Sequence, residues 1–391
     1  MLPLETKNLT KTFITLFEFI HNIFSKMGLT CGIVGLPNIG KSTLFNAISK
    51  SDIAQSANYP FCTIEPNSAK VALNDPILKQ LAAVANSQKL VPNYLEITDI
   101  AGLVKGASKG EGLGNKFLSH IREVDAIIHL VRCFEDSDIT HVDGSVNPIR
   151  DIETIEVELI FSDIEQAEKM LAKHEKKAKG GDKSAKEICN AMEPALKVLN
   201  SGKMLNTIQD AELLSTLKKL NFITCKPSFY ACNVKEGDAL NGNGFVEIVK
   251  NYATQNNSKC VLVCAKFEAD IASIESDEER LEFLQSIGVE KSGIDAITAL
   301  AFETLNLRTF YTIGPKEAHA WTFPTGAKAP ECAGIIHTDF EKGFIKAETI
   351  IFSDYLEFEG EAGARDVGKM RMEGKEYVVQ NGDIMNFKFN V

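Results

Sequence analysis

The sequence predicts a doubly wound α/β domain with a mostly parallel sheet, interrupted by a helical insertion and followed by a small domain of short strands. Three observations predict it. Short apolar runs alternate with helical patterns between residue 29 and residue 304. Within that stretch, from Ile160, apolar or small residues recur at 160, 164, 167, 171 and 178, with His174 an imperfect member, spaced alternately four and three, as in a heptad seam. After Thr304 the pattern changes to brief strands separated by turns.

The bulk properties set limits. A chain of 391 residues has room for two or three cores, and 44% hydrophobic with 24% charged residues is the balance of an ordinary soluble protein. A net charge of −11 excludes a general coat for nucleic acid, so any RNA contact must come from a local basic patch, and no reading of DNA sequence is expected. The nine cysteines form no C-x-x-C, which argues against a zinc ribbon or a thioredoxin-type pair. Several lie in apolar runs, where a free thiol is a small core residue, and the expected compartment is the reducing cytosol.

Residues 1–26 stand apart. Phe13, Leu16, Phe17, Ile20 and Phe24 give a helix with one apolar face, too short to span a bilayer and carrying Glu18 and His21. Met27 opens the sequence that reads as a domain, so this segment is expected to be an appendage or a start placed upstream of the native one. A membrane or partner helix is the alternative.

The α/β domain, expected over residues 27–150 and 222–304, opens with a strand at 29–34. Gly35-Leu-Pro-Asn-Ile-Gly40-Lys41-Ser42 follows and fits G-x-x-x-x-G-K-[ST] in its proper strand–loop–helix context. Gly35 and Gly40 permit a tight loop whose N–H groups point at phosphate oxygens. Lys41 would reach the β and γ phosphates, and the Ser42 hydroxyl would ligate Mg²⁺. Thr63, in the loop NYPFCTIEPN, is a candidate second hydroxyl ligand closing over the γ-phosphate, or else an ordinary loop threonine. The strand Tyr94–Thr98 leads to Asp99-Ile-Ala-Gly102, a D-x-x-G whose aspartate can hold Mg²⁺ through water and whose glycine amide can sense the γ-phosphate. Leu103 then occupies the place where Ras-type enzymes carry a water-orienting glutamine. An apolar residue cannot polarise water. His120, the only imidazole in the glycine-rich stretch that follows, is a candidate for that work, with a packing role as the alternative.

Three further runs, DAIIHLVRCF, SFYACNV and KCVLVCAKFE, read as buried strands. His129 and Cys133 fall on one face of the first, where core packing is preferred to metal ligation. The second ends in Asn233-Val234-Lys235-Glu236, at the carboxyl edge where doubly wound sheets bind ligands. A GTPase usually has N-K-x-D there. Val234 replaces the lysine that lies along guanine, and Glu236 replaces the aspartate that meets its two donors; Asn233 can serve either purine at N7. A carboxylate one methylene longer misplaces that pairing, which predicts ATP in preference to GTP. Cys264-Ala265-Lys266 stands where S-A-K is common.

Together, NIGKST, NYPFCTIEPN, DIAGLVKGAS, GEGLGNKFLSHIREVDAI and N-x-x-E resemble the YchF/Obg-like ATPase family of translation-factor-related P-loop proteins, from Met27 to the C-terminus. The resemblance implies a helical insertion (expected 151–221, a coiled coil), a TGS domain of β-grasp type (expected 305–391) and binding to the ribosome or its large subunit. It also implies phosphate contacts from Asn38, Ile39, Gly40, Lys41, Ser42 and Thr43, Mg²⁺ at Ser42 and Thr63, and adenine beside Val234. A monomer is expected. A true GTPase and a non-hydrolysing scaffold remain alternatives.

The insertion can be read on its own terms. KGGDK breaks the first helix, and a stretch from about Ala185 to Leu220 is expected to return antiparallel. Its tip carries Lys169, Lys173, Lys176, Lys177, Lys179, Lys183 and Lys186, a phosphate-binding candidate on an acidic chain or a solvated hairpin end. Beyond it, TFYTI, AHAWTF, GIIHTDF, FIKAETII and EYVVQNGDIMNFKF are expected strands, with Asn381-Gly382 as a turn. No catalytic set is visible there, so that domain reads as a binding module.

Overall fold

A computed structural model describes residues 29–56, 67–100, 113–274, 276–289 and 291–390. Two compact units divide the chain.

The first unit holds Thr30–Val71 and Glu96–Leu305. Its early elements are β1 (Thr30–Val34), α1 (Lys41–Ser56) and β2 (Ser68–Ala72); α2 (Pro76–Ala85) and β3 (Leu90–Val91) lie in the other unit. Then come β4 (Tyr94–Asp99), α3 (Leu113–Glu123), β5 (Ala126–Arg132), α4 (Pro148–Lys179), α5 (Lys183–Asn200), α6 (Ala211–Lys219), β6 (Ser228–Asn233), α7 (Gly244–Gln255), β7 (Cys260–Val263), α8 (Ala265–Ile271), α9 (Asp277–Ser286) and α10 (Gly293–Thr304). The sheet order is β2-β4-β1-β5-β6-β7, and β4-β1-β5-β6-β7 run parallel. Every residue of β5 is buried, which is why its sequence reads as a continuous apolar run rather than an alternating one. Parallel strands with helical crossovers bring the ends of β1, β4 and β6 to one edge. The expected strand KCVLVCAKFE ends early: β7 stops at Val263 and α8 begins at Ala265.

The inserted hairpin forms where the period changes. Asn147 caps α4 by accepting from the Arg150 N–H, with Pro148 in the first turn. At the far end Asp182 caps α5 after the Gly180-Gly181 turn. The seam positions Ile160, Ile164, Ala167 and Leu171 pack with Ala191, Met192, Ala195 and Leu199. The return stretch is not one helix. It breaks after Asn200, where Gly202 has φ +75, and resumes as α6.

The second unit holds residues 72–95 and 306–390. Here the structure departs from the expected boundary, because residues 72–95 were assigned to the nucleotide domain. Leu78, Leu81 and Ala82 form the apolar face of α2 and share a core with Tyr311, Ala320, Ile350 and Ile384. The Asp75 cap accepts from the Leu78 N–H and from the Tyr311 hydroxyl at 2.8 Å, while Asn93 donates to Thr309 at 3.0 Å. Periodicity alone could not reveal a pairing of segments 216 and 236 residues apart.

The remaining elements are β8 (Leu307–Ile313), β9 (Ala318–Pro324), α11 (Ala329–Ile336), α12 (Thr338–Lys342), β10 (Phe344–Ile351), α13 (Phe352–Glu357), α14 (Glu361–Asp366), β11 (Arg371–Glu373) and β12 (Asp383–Phe389). They form a mixed sheet, β11-β10-β12-β8-β9-β3. The expected strand GIIHTDF is helical instead, as parts of α11 and α12. Pro330 in the first turn and Glu331 accepting from the Lys328 N–H start α11 and override the Ile335-Ile336 β-preference. Gly382 (φ +90) makes the turn into β12, and Trp321 packs partly buried against Phe310 and His319.

Candidate functional site

The phosphate loop joins β1 to α1. Gly40 has φ +90, and a Cβ on it would lie 2.4 Å from the Asn233 amide nitrogen, so two independent constraints exclude any side chain. Asn38 also takes a left-handed conformation (φ 61) and donates from Nδ2 to the Thr140 carbonyl at 3.2 Å. Ile39 is buried, while Ser42 and Thr43 are exposed at the start of α1. The Lys41 ammonium forms an ion pair with Asp99 at the end of β4 and donates to the Ile100 carbonyl at 3.0 Å. The structure thus brings together the lysine and the D-x-x-G aspartate, 58 residues apart in sequence. Gly102 and Thr63 lie outside the described residues, as does the segment 1–26.

Asn233 is the bridge of the site. Its Nδ2 donates to the Ile39 carbonyl at 2.7 Å, and its Oδ1 accepts from the Ala265 N–H at 3.0 Å. Being 3% exposed, it is first a clamp between the phosphate loop and the C-A-K turn. Val234 is also only 3% exposed, its side chain packed with Val131, Cys232 and Val246. The expected contact of Val234 with adenine therefore has no exposed side chain behind it. Glu236 is exposed, and its carboxylate meets Lys266 at 2.8 Å. The charge of C-A-K is thereby set beside the residue that replaces the usual aspartate.

Sequence reasoning missed two supports. Arg132, 1% exposed at the end of β5, donates to the carbonyls of Phe134 (3.1 Å), Ile139 (3.0 Å) and Asp136 (3.4 Å) and lies over the Phe134 ring. It shapes the loop whose Thr140 receives Asn38 and whose Asp136 pairs with Lys235 at 3.6 Å. A single arginine closing an apolar run was the available signal. Glu268, in α8 two residues beyond C-A-K, is 4% exposed and accepts from the N–H groups of Gly293 (2.7 Å) and Ile294 (3.3 Å) at the start of α10. Burial pushes its carboxyl up to about 7, with Asp295 adding a smaller push in the same direction. The charged group there was legible, its burial was not.

His120 sits exposed in the last turn of α3, which leads into the start of β5, at the edge of the sheet opposite the ends of β1 and β4. Beside it, Arg122 joins α3 to the root of the hairpin, donating to Ser162 Oγ and to the Asn221 carbonyl, both at 3.0 Å. Its guanidinium lies 3.8 Å from the fully buried Asp163. Asp163 in turn accepts from the Ile223 N–H, the Thr224 N–H and the Thr224 hydroxyl. Lys226 caps the end of α3 by donating to the carbonyls of Arg122 and Val124.

Other chemistry-bearing groups are structural. Burial drives the His129 imidazole down to about 3, so it stays neutral, beside the Tyr230 ring. Hydrogen bonding to Cys133 and then burial push the Cys232 thiol well up, as expected of an unreactive core thiol. His141, Asp143 and Asp151 cluster closely enough to hold a metal. Both ring nitrogens of His141 are committed, however: one bonds to Asp151 at 2.8 Å, the other accepts from the Asp143 N–H.

A protein called "Ribosome-binding ATPase YchF" from Escherichia coli O157:H7 is 52% identical over 366 residues, 93% of this chain and all of that protein. The chain belongs to the YchF family. The relative of the same name from Bacillus subtilis strain 168 is 50% identical over 370 residues, with the same coverage. A solved structure titled "Structure of the Schizosaccharomyces pombe YchF GTPase" superposes with a TM-score of 0.83 at 37% identity, covering 92% of this chain and 98% of that one. Residues 307–390 match the YchF-GTPase C-terminal family, described as a protein of unknown function. Residues 30–201 match the family described as "50S ribosome-binding GTPase". This YchF family member is therefore an α/β P-loop protein of a nucleotide-hydrolysing, ribosome-associated family. Among its described residues no helix is long and apolar enough to cross a membrane.

Proposed function

We propose that this protein is a Mg²⁺-dependent nucleotidase that hydrolyses ATP in preference to GTP and uses the nucleotide to switch its hold on the ribosome, chiefly the large subunit. The observation that carries the base preference is Glu236, longer than the guanine-reading aspartate and held against Lys266 at the mouth of the site. The names of the relatives support hydrolysis and ribosome binding, although they divide between ATPase and GTPase. A GTPase is accordingly the second reading.

Lys41 changes partners in this scheme. In the structure it pairs with Asp99; on a bound nucleotide it would reach the β and γ oxygens and leave the carboxylate to the metal. Ser42 and Asp99 are hard oxygen donors, suited to Mg²⁺, and Thr63 is the proposed third; the ion would neutralise phosphate charge. The N–H groups of residues 38–43 bind and orient the phosphates. His120 positions the attacking water in place of the glutamine that Leu103 replaces. The hairpin, proposed as a coiled-coil arm, and the C-terminal unit, proposed as a TGS domain, are the docking elements.

Turnover of ATP and GTP with and without ribosomes tests the proposal. The expected result is ribosome-stimulated ATP hydrolysis that His120→Ala slows by ~10²-fold or more with little change in nucleotide affinity. GTP turned over faster than ATP would favour the second reading, and unchanged turnover in His120→Ala would move that residue out of the mechanism.

A further inference from the structure

The purine site rests on two turns, and only one has a visible anchor in its own loop. Asn233 ends a fully paired strand, but the C-A-K turn opens α8, a helix of seven residues. That helix packs along α1 on one side and on another borders a cavity of about 200 Å³, lined by Ala239, Cys264, Phe267, Glu268, Leu284 and Ala296. Cys264 supplies no side-chain cap to it. On the side of α10, α8 is held by the carboxylate of Glu268, which accepts from the N–H groups of Gly293 and Ile294.

The close approach is built in. A Cβ on Gly293 would stand 2.8 Å from Val263 Cγ2 and 3.0 Å from the Glu268 carboxylate, so glycine lets the carboxylate reach the backbone. Glu268 is one helical turn from Ala265, whose N–H holds Asn233, and lies two residues from Lys266, which holds Glu236. A chain of contacts therefore runs from α10 through Glu268 to both groups that face the base, and on through Asn233 to the Ile39 carbonyl. Rolling α8 would move Lys266 and the Ala265 N–H directly, and would reach the phosphate loop through the Asn233 clamp.

We propose that Glu268 is a positioning residue for base reading: its bonds to the start of α10 set the C-A-K turn that holds Asn233 and Glu236 in register with the purine. This rests on the nucleotide-site reading above. It predicts a division of binding energy between base and phosphates. Losing the acceptor for two backbone donors should cost the base its alignment, an effect of about tenfold or more in affinity, and weaken phosphate binding less.

The test is a calorimetric titration of the full chain, as wild type, Glu268→Ala, Glu268→Gln and Glu268→Asp, with ATP, GTP and inorganic tripolyphosphate. The expected result is ATP affinity weakened about tenfold or more in Glu268→Ala, tripolyphosphate affinity weakened clearly less, and KM for ATP raised with kcat near wild type. Glu268→Gln, which keeps only one of the two acceptor oxygens, should lose part of the affinity, and the shorter Glu268→Asp should lose it despite keeping the charge. ATP affinity unchanged in both Ala and Asp variants would overturn the proposal, and so would equal losses for ATP and tripolyphosphate. Failure of the ATP reading shows elsewhere, as wild type binding GTP at least as tightly as ATP. A base-specific loss in the variants would still stand in that case.

Discussion

Replacing Asp163 with alanine tests the junction between α3 and the hairpin. The carboxylate is fully buried and accepts three hydrogen bonds, from the Ile223 N–H at 3.1 Å and from the Thr224 N–H and hydroxyl, both at 2.7 Å. It also faces the Arg122 guanidinium at 3.8 Å. The threonine hydroxyl can rotate to another acceptor, whereas the two backbone donors cannot. Each buried donor left unpaired costs about 1–3 kcal/mol, and loss of one member of a buried charge pair costs about 3–5 kcal/mol; the effects overlap, so the expected destabilisation is about 3–5 kcal/mol. Burial, acting against these bonds, pushes the Asp163 carboxyl up. Its charge is thus favoured less in the folded unit than in the unfolded chain, and the unit should gain stability as pH falls toward the carboxylate range. The sole tryptophan, Trp321, lies in the other unit, so its fluorescence is the wrong probe. Native-state hydrogen exchange of the Ile223 and Thr224 amides reports the junction directly. Loss of protection at these amides with a stability loss of this size is expected. A loss below ~1 kcal/mol, with both amides still protected, would refute the reasoning.

Three further outcomes are expected. Gly40→Ala should abolish triphosphate binding in a titration, because its Cβ would displace Asn233 and strain a left-handed backbone. Glu268, pushed up to about 7 from an unfolded value near 4.5, contributes stability that is complete below 4.5 and is lost as pH rises through about 7, a span of about 3 kcal/mol. Denaturant midpoints at pH 5 and pH 8 should therefore differ less in Glu268→Gln than in wild type. Replacing Lys173, Lys176, Lys177 and Lys183 by glutamine should weaken ribosome co-sedimentation and lower its salt slope by roughly 0.7–0.9 per lost phosphate contact, with ATP turnover by the free protein intact.

How much was legible depended on the range of the contacts. The phosphate loop could be read because strand, glycine spacing, lysine and helix are consecutive, and short-range order predicts short-range structure. The hairpin was legible from its seam, although the break at Gly202 was not, since an isolated glycine in a helical pattern does not announce its dihedral angle. GIIHTDF misled because two β-branched residues outweighed the proline and capping glutamate just before them. Residues 72–95 were misplaced because an amphipathic helix shows that a face is buried but not against what. The lysine position of N-K-x-D was read as a loss of stacking on the base, while the structure turns Val234 into the core. Introducing lysine there would remove a packed core residue along with the change in recognition.

The most direct test of the account is therefore a calorimetric comparison of ATP and GTP binding to the wild-type chain and to Glu236→Asp alone. Glu236 is exposed and pairs with an exposed lysine, so shortening it by one methylene alters the reading group without disturbing the core. The account predicts that wild type binds ATP more tightly than GTP and that Glu236→Asp narrows or reverses the difference. Equal or tighter GTP binding by wild type would contradict it, as would a preference for ATP that Glu236→Asp leaves unchanged.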